Sequence, residues 1–491
     1  MESVQARRIR VLVDRPLRTD GRHVLYWMTA ARRPGWNFAL QRAVKHAERA
    51  EKPLVVLEAV RAGYRWASAR HHAFLLRGMH DNAAAFEARG IAYHPYVEPE
   101  HGAGRGLLAA LARDAACVVT DDWPCFFLPR MLERAKSELG ALDVRFEAID
   151  GNGIVPFAAP DAVYPSAYAF RRWIQKNVRP YLDEPPRADP FERAKLASTD
   201  GIPASITRRW PRASAALLAV QPAALARLPL DAEVAPVAKE GGHAAAELAL
   251  QDFVRRRLPR YAEERSEPGS DASSGLSPWL HYGHVSAHAV LDAVTRRERW
   301  TPEKVSERGA GKKEGFWNLD ASSEAFLDEL VTWRELGFNT SSRRPDYDRW
   351  ESLPAWARAT LEGHAGDARE HVYSRAELES SATHDALWNA AQRELVRTGT
   401  IHNYLRMLWG KKVLEWSESP RAALETLIEL NNRWALDGRD PNSYSGIFWI
   451  FGRYDRPWAP ERKVFGVIRY MSSQNTARKF DVKPYLARHG A

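Results

Sequence analysis

Short apolar runs alternate with amphipathic stretches between residue 23 and about residue 160. The runs read HVLYWMTA, PLVVLEAV, IAYHPYV, ACVVTDD and VRFEAID. Between them, residues 36–49 and 71–89 carry apolar side chains three and four positions apart, which is typical of helices. This alternation predicts a doubly wound α/β domain with a parallel sheet covered on both faces. Ligands of such sheets bind beyond the carboxyl ends of the strands, here residues 29–33 and 120–123.

The strand pattern ends in the second half of the chain. Residues 195–243 are rich in Ala, Pro and Arg without alternation, which is typical of a linker. Helical periodicity dominates after residue 243. The pattern therefore predicts an α/β domain over residues 1–194, a linker over 195–243 and an all-α domain over 244–491. The GAGRG run at residues 102–106 does not fit a dinucleotide fingerprint, and we interpret it as a loop.

Composition narrows the classes of protein. The 491 residues are 45% hydrophobic and 27% charged, and no stretch approaches the roughly 18 apolar residues of a membrane span. The first residues lack the apolar region of an export signal, so we expect a cytoplasmic protein. The two cysteines, Cys117 and Cys125, exclude a disulfide scaffold, an iron–sulfur centre or a Cys-rich zinc site, and no metal is expected.

Charge and tryptophan content are the two unusual features. The net charge of +9 is either a solubility margin or the mark of an anionic partner. Twelve of the 18 tryptophans follow residue 270. They predict either a Trp-rich helical core or a role in stacking or electron transfer.

Three long runs carry a family resemblance. They are SGLSPWLHYGHVS at residues 274–286, HDALWNAAQRELVRTGTIHNYLRMLWGKKVLEWSESP at 384–420 and LNNRWALDGRDPNSYSGIFWIFGRYDRPW at 430–458, and the closing FGVIRYMSSQNTARKFDVKPY also matches. They resemble the DNA photolyase and cryptochrome family, specifically the class II cyclobutane pyrimidine dimer photolyases. The resemblance covers nearly the whole chain. It implies a Rossmann-like first domain, a helical FAD-binding domain, and light-driven splitting of dimers by reduced FAD.

The resemblance also implies the cofactor residues. Ser274, Gly275, Leu276 and Ser277 open a helix, whose unpaired N–H groups suit a pyrophosphate. Arg406 and Asp437 match an ion pair beside the flavin that favours its anionic reduced form, and Asn431 matches an amide facing flavin N5. The remaining residues with expected cofactor contacts are Tyr261, Trp333, Gly438, Asn442 and Gly446.

Three tryptophans match the electron relay of the class II enzymes. They are Trp388, Trp409 and Trp416. The last two are seven positions apart, so on one helix they share a face with Cα atoms roughly 10 Å apart. We interpret the three as the path that rereduces the flavin.

Other positions match the lesion site of the family. The resemblance implies that Glu335 hydrogen-bonds the dimer, that Trp449 stacks on it, and that Met407 lines the same cavity. It also implies a lesion contact for Arg265. Basic residues at the mouth would bind phosphates of UV-damaged DNA without reading sequence, in a protein expected to be monomeric: Arg453, Arg456, Arg462 and Lys463.

Two positions expected near the substrate differ from the usual family sequence. Residues 337–344 read GFNTSSRR in place of the usual Asp/Asn-Asn-Phe-Cys-Tyr-Tyr run, and Ser266 stands where Asn is common. The alternative is therefore a cryptochrome-like light sensor without repair activity. A third class, a basic nucleic-acid-binding protein without flavin, leaves the motifs unexplained. A deazaflavin antenna in the first domain stays open.

Overall fold

Six strands and a series of helices make up the described part of the chain, residues 5–309 and 311–490 of the computed structural model. The strands are β1 Ile9–Val13, β2 His23–Met28, β3 Leu54–Val60, β4 Ala92–Val97, β5 Ala115–Asp121 and β6 Phe146–Ile149. The first helices are α1 Phe38–Ala50, α2 Ala69–Glu87, α3 Leu107–Ala112, α4 Leu128–Ala141, α5 Ala167–Asn177, α6 Arg179–Leu182, α7 Ala204–Arg209, α8 Ala215–Leu218, α9 Pro222–Leu225, α10 His243–Asp252, α11 Tyr261–Glu264, α12 Ser277–His281 and α13 Ala287–Arg296. The rest are α14 Ala321–Leu327, α15 Arg334–Arg343, α16 Ala355–Gly363, α17 Arg375–Glu379, α18 Ala386–Thr398, α19 Asn403–Trp416, α20 Pro420–Trp434, α21 Pro441–Ile450, α22 Ser473–Lys479 and α23 Lys483–His489. Phe253–Arg257 and Asp328–Trp333 are π-helical, and short 3₁₀ turns cover Ala6–Arg8, Leu258–Arg260, Pro302–Lys304 and Trp350–Ser352.

Backbone packing divides the chain into two compact units, each built from three segments. Unit 1 comprises Met1–Ala159, Val178–Gln251 and Leu276–Pro302; unit 2 comprises Pro160–Asn177, Asp252–Gly275 and Glu303–Ala491. These boundaries differ from the predicted ones at residues 194 and 243.

The segment predicted as a linker, residues 195–243, packs within unit 1. Its Trp210 is buried among side chains on one face of the sheet, and the indole donates a hydrogen bond to the Ala103 carbonyl at 3.0 Å. Conversely, α5 belongs to unit 2, where Arg171 forms a bidentate ion pair with Asp328. Local composition does not report such long-range contacts.

The sheet of unit 1 has the strand order β1-β6-β5-β2-β3-β4. All neighbouring pairs are parallel except β1 with β6. Alternate residues of β2 face opposite sides: Tyr26 packs with α1, and Trp27 packs with α3 and α4. Because both faces are covered, the central strands read as continuous apolar runs.

The predicted fold class is confirmed, and all five predicted strands are present as β2 to β6. The sequence prediction missed β1, which lies at the edge of the sheet and pairs antiparallel to β6, with Ile9 opposite Ile149. Two of its five residues, Arg10 and Val11, are exposed. None of its five residues is fully buried, whereas five of the six residues of β4 at the opposite edge are, so β1 lacks the long apolar run that marks the other strands. The GAGRG run forms turns, as predicted.

In unit 2, glycines allow helices to approach closely. A Cβ on Gly337 of α15 would lie 2.8 Å from the Pro441 carbonyl oxygen at the start of α21. A Cβ on Gly410 of α19 would lie 2.7 Å from the Ile450 side chain at the end of α21. The two glycines therefore set the spacing of α15 and α19 against α21.

The segment that departs from the family, residues 337–344, serves this packing. Asn339 donates to the Ala162 carbonyl at 2.9 Å and accepts from the Tyr164 N–H at 3.1 Å. The Thr340 hydroxyl lies 2.6 Å from the Tyr454 hydroxyl. Asn339 and Thr340 thus connect α15 to other segments of unit 2.

Candidate functional site

A buried ion pair joins α19 to the segment after α20. Nη2 of Arg406 lies 3.0 Å from Oδ1 of Asp437, and the two side chains are only 16% and 12% exposed. The next residue is Gly438, where a Cβ would lie 2.8 Å from the backbone oxygen of Asn431. Glycine therefore lets the loop carrying Asp437 lie close against α20, and low exposure strengthens the electrostatic pairing.

Asn431 lies beside this pair on α20 and is 2% exposed. Its Nδ2 donates to the Ser443 hydroxyl at 2.7 Å and to Oδ1 of Asn432 at 3.2 Å. Asn432 is fixed in turn, because its Oδ1 accepts from the Arg439 N–H at 2.8 Å. With Nδ2 occupied, Asn431 has Oδ1 left as an acceptor for a bound group.

The other predicted cofactor residues occupy varied positions. The structure corrects the expectation that Ser274 opens a helix: α12 begins at Ser277 and has five residues, while Ser274 to Leu276 form a loop. The boundary between the units runs between Gly275 and Leu276. Asn442 is exposed, and Trp333 ends a π-helical segment, a feature frequent at functional sites.

The aromatic ring of Tyr261 packs in an apolar cluster. It lies 5.9 Å from Phe253 and 5.4 Å from Phe326. The Arg265 guanidinium lies over its face at 5.5 Å. Burial raises the pKa of the Tyr261 hydroxyl, so this phenol stays protonated at physiological pH.

Arg265 is already engaged by an acid. Its Nη1 lies 2.6 Å from Oε1 of Glu329, in the π-helical segment. Burial raises the pKa of Glu329, and the Arg265 charge opposes that rise. The sequence prediction did not include Glu329. No sequence signal identifies this residue, because the π-helical interruption that contains it is visible only in the structure.

The three predicted relay tryptophans are buried and connected. The rings of Trp388 and Trp416 are 5.7 Å apart in an edge-to-face arrangement. The Trp388 indole donates to the Trp409 carbonyl at 3.0 Å, and the Trp409 indole donates to Gln392 at 2.9 Å. The Trp416 ring continues to Tyr373 at 5.6 Å and His384 at 5.1 Å. α18 and α19 thus bring a chain of rings together.

An aromatic cavity of about 470 Å³ opens in unit 2. Met407 and Trp449, both predicted for the lesion site, line it. Gly446 lies one turn before Trp449 and next to Met407: a Cβ there would make an ordinary contact with Cε of Met407 at 3.8 Å. The remaining lining residues are Tyr404, Trp458, Ala459, Pro460, Arg462, Ile468, Arg469, Tyr470, Met471, Asn475 and Lys479.

Glu335 does not line this cavity. It lies on α15 and is 4% exposed. Met407 and Trp449 thus share this cavity, while the expected place of Glu335 beside the lesion stays a prediction. Its place near the start of a packed helix could not be read from the TWRELGF motif.

Arg453 is also not a surface cation. It is 4% exposed, and its Nη2 donates to the Tyr347 carbonyl at 2.8 Å and to the Ser352 hydroxyl. Its guanidinium lies 3.8 Å from the centre of the Phe448 ring, and burial lowers the pKa of Arg453 to about 10. The structure thus corrects its assignment to DNA phosphates. Arg456 is exposed over Trp458, as a phosphate-binding residue requires.

The predicted ligand end of the unit 1 sheet is closed by the protein itself. Three consecutive backbone N–H groups, of Thr29, Ala30 and Ala31, donate to Oδ2 of Asp121 at 2.7 to 3.0 Å. The Tyr26 hydroxyl donates to the other carboxylate oxygen at 2.8 Å. Such a nest binds anions, and here a side chain fills it. The strand order reverses between β2 and β5, where these residues lie.

The described residues lack two further features. No described helix combines the length and the apolar character required to cross a membrane. Over the same ranges, no three His, Cys, Asp or Glu side chains cluster so as to hold a metal ion.

Solved structures define the fold class. A bacterial class III photolyase from Agrobacterium tumefaciens matches with a TM-score of 0.71 at 18% identity, covering 96% of this chain and 86% of that one. A cryptochrome from Synechocystis sp. PCC6803 matches with a TM-score of 0.64 at 17% identity, covering 95% and 88%. The chain has the photolyase and cryptochrome fold.

Sequence relatives define the family. No family model matches the sequence. A deoxyribodipyrimidine photo-lyase from Methanothermobacter thermautotrophicus is 34% identical over 486 residues, covering 99% of this chain and 98% of the relative. One from Oryza sativa subsp. japonica is 35% identical over 485 residues, covering 95% and 87%. The chain belongs to the deoxyribodipyrimidine photo-lyase family, so the predicted resemblance is confirmed.

Proposed function

We propose that the protein is a light-driven lyase that uses reduced FAD to split cyclobutane pyrimidine dimers in DNA. One observation carries the proposal beyond family membership. Helix α19 places Arg406 in the buried ion pair, Met407 in the aromatic cavity and Trp409 in the tryptophan chain. A single rigid element thus connects the three parts that such a reaction needs.

The side chains around Arg406 fit a reduced flavin. When bound, reduced FAD supplies the light-excited electron donor. The Arg406 charge would stabilise an anionic ring, and Asp437 holds the guanidinium in place. Oδ1 of Asn431 is suited to accept a hydrogen bond from a ring N–H, because Nδ2 is held by Ser443. These features support the anionic reduced form.

The cavity fits an extruded dimer. Trp449 and Tyr404 offer aromatic faces, and base stacking on one such face contributes about 1 to 3 kcal/mol. A dimer pairs and stacks badly in the duplex, so its extrusion costs less than that of normal bases. The role of Glu335 in hydrogen-bonding the lesion stays a prediction.

Binding to DNA needs no sequence readout. Arg462, Arg469 and Lys479 line the cavity, and Arg456 and Lys463 are exposed near it in the chain. Cations at such positions neutralise phosphates of any sequence. The cavity and the basic residues near it all belong to unit 2, so the proposed site takes no residue from a second copy of the protein.

We interpret Trp388, Trp409 and Trp416 as the path by which oxidised flavin regains electrons. The ring-centre distance of 5.7 Å between Trp388 and Trp416 allows short electron hops. A deazaflavin antenna, which the resemblance allows, would bind unit 1 outside the nest that Asp121 fills.

The decisive experiment is a repair assay. The protein, reconstituted with FAD and chemically reduced, is illuminated with blue light in the presence of an oligonucleotide carrying one thymine dimer. Recovery of thymine absorbance is the expected result. Trp449→Ala should lose most of this activity, because the stacking wall is removed.

Trp317→Phe is the matched control, because Trp317 is equally an indole of unit 2 but does not line the cavity. It should repair at the wild-type rate. A flavin-loaded wild-type protein that leaves the dimer intact under light would refute repair and favour light sensing.

A further inference from the structure

A buried lysine lies directly behind the cavity wall. Lys411 is 0% exposed, and its Nζ donates to the Ile450 carbonyl at 2.6 Å. The same nitrogen lies 4.9 Å from the centre of the Trp449 ring. Lys411 does not line the cavity. Trp449 therefore has the cavity on one part of its surface and a lysine ammonium against another.

The fold builds this contact from helical spacing and one glycine. Tyr404, Met407 and Lys411 follow one another on a face of α19 at intervals of three and four residues. The first two line the cavity. Gly410 allows the end of α21 to approach α19, so that the lysine reaches a carbonyl at the C-terminus of α21. Lys411 thus holds the backbone next to Trp449 as well as its ring.

Complete burial of a lysine side chain, as seen for Lys411, is rare in proteins. Among the described residues, no carboxylate lies within ion-pair distance of Lys411, and its one hydrogen bond is to Ile450. A buried charge without a partner is costly. A hydrogen bond to the last carbonyl of a helix does not require a fully buried ammonium group. The face of an indole, in contrast, attracts an ammonium group.

We propose that Lys411 is a positioning residue for Trp449, which sets the plane of the indole and makes the wall that receives the extruded dimer electropositive. The inference rests on the proposed function of the cavity. Arg469 acts from the cavity side: its guanidinium lies 5.4 Å from the Trp449 ring and is paired with Asp455 at 3.0 Å. Lys411, in contrast, forms no ion pair within contact distance in the described part of the chain, and its hydrogen bond goes to the Ile450 carbonyl.

The protonation state of Lys411 determines whether Trp449 has a charged group against its ring. Burial lowers the pKa of Lys411 to about 7; Asp455 opposes the shift and Arg469 adds to it. Below pH 7 the ammonium is charged and holds the indole. Above pH 7 it loses its proton, and the cation–π contact is lost. Preference for damaged DNA therefore falls as the pH rises through about 7.

The test uses the full-length, FAD-loaded protein in the dark. Dissociation constants are measured between pH 6 and pH 9 for two duplexes of one sequence, with and without a thymine dimer, and their ratio gives the preference. The ratio removes effects of pH on phosphate binding. We expect the wild-type ratio to fall across pH 7, and Lys411→Met to lower it roughly tenfold at pH 6 and make it independent of pH.

Lys412→Met is the matched control. Lys412 is the next residue of α19 and also buried, but its Nζ pairs with Glu415 at 2.7 Å. It should leave the preference unchanged. In a Trp449→Leu background, Lys411→Met should have no further effect, because the ring that it positions is gone. Circular dichroism and the flavin spectrum check that each variant folds.

The outcomes separate the inference from the proposed function. A wild-type protein that does not prefer the dimer-containing duplex refutes the proposed function. If Trp449→Leu abolishes the preference while Lys411→Met keeps it, the inference alone is wrong. A wild-type preference that stays constant from pH 6 to pH 9 overturns the control by protonation of Lys411, and this result needs no variant.

Discussion

Neighbouring arginines near the end of α21 have opposite environments. Arg453 is enclosed by backbone and side-chain acceptors, whereas Arg456 is exposed. The sequence presents both as members of the same basic segment. The resemblance to the family implied the Arg406–Asp437 pair. Neither the resemblance nor residue type reports which arginines lose contact with solvent, because burial depends on distant segments such as residues 347–352.

Arg453→Met should lower the free energy of unfolding by about 1 to 3 kcal/mol, because the Tyr347 carbonyl and the Ser352 hydroxyl lose their donor. Urea titration followed by circular dichroism measures this. The affinity of this variant for undamaged DNA should keep its dependence on salt.

Arg456→Ala should have the opposite effects. The free energy of unfolding is kept, and the slope of log affinity against log salt falls by about 1. Equal slopes in the two variants would contradict the assignment.

Trp388→Phe should stop photoreduction of the oxidised flavin. Trp388 contacts the Trp416 ring and the Trp409 backbone, and phenylalanine is harder to oxidise than tryptophan. Flavin absorbance under blue light with an external reductant measures the rate. Repair by protein that has been reduced chemically should continue. Loss of both activities would indicate that Trp388 serves packing alone.

At the scale of elements, the sequence predicts the buried parallel strands well and the termini of segments poorly. The runs that became β2 to β6 are long and apolar because helices cover both faces. The half-exposed β1 lacks that signal. The SGLS motif predicted a helix start, yet Gly275 adopts a left-handed conformation with φ of 63° and the helix begins two residues later. Turn geometry at Gly275 overrides the capping pattern.

Gly337→Ala should destabilise unit 2, because its Cβ would meet the backbone of Pro441 and Asn442 below 3.0 Å. The expected loss is about 1 to 3 kcal/mol in the free energy of unfolding, together with weaker flavin retention as α21 shifts. Gly363→Ala is the control: it also lies in a helix, and no atom lies within 4 Å of its added Cβ. That variant should be neutral or more stable. Comparable losses in both would mean that close approach is not the cause.

At the scale of the whole molecule, the two units are each assembled from three separated segments. The boundaries of these units therefore differ from those expected from composition, because residues 195–243 and 276–302 have no local pattern that indicates their unit. Unit 1 also concentrates charge in its interior. Glu147 of β6 is fully buried and contacts Arg42 at 2.8 Å, Arg145 at 2.8 Å and His46 at 2.9 Å.

Acid should destabilise the protein in part through Glu147. Burial raises the pKa of this carboxyl, but the hydrogen bonds from His46 and Arg42 outweigh it and hold the pKa well below the ordinary value of 4.5. The stabilisation is therefore present above pH 4.5 and is lost as the pH falls below it. The difference in unfolding free energy between wild type and Glu147→Gln should shrink on the order of 2 kcal/mol between pH 6 and pH 3. A constant difference across this range would exclude the linkage.

The carboxylate of Asp121 has a consequence for the stability of unit 1. It occupies the place where a phosphate would bind at the strand-order reversal, and it accepts hydrogen bonds from three consecutive backbone N–H groups and from Tyr26. Asp121 and residues 29–31 are buried, so removal of the carboxylate would leave three backbone donors without an acceptor. At this end of the sheet the acid therefore serves the folding of the domain instead of the binding of a ligand.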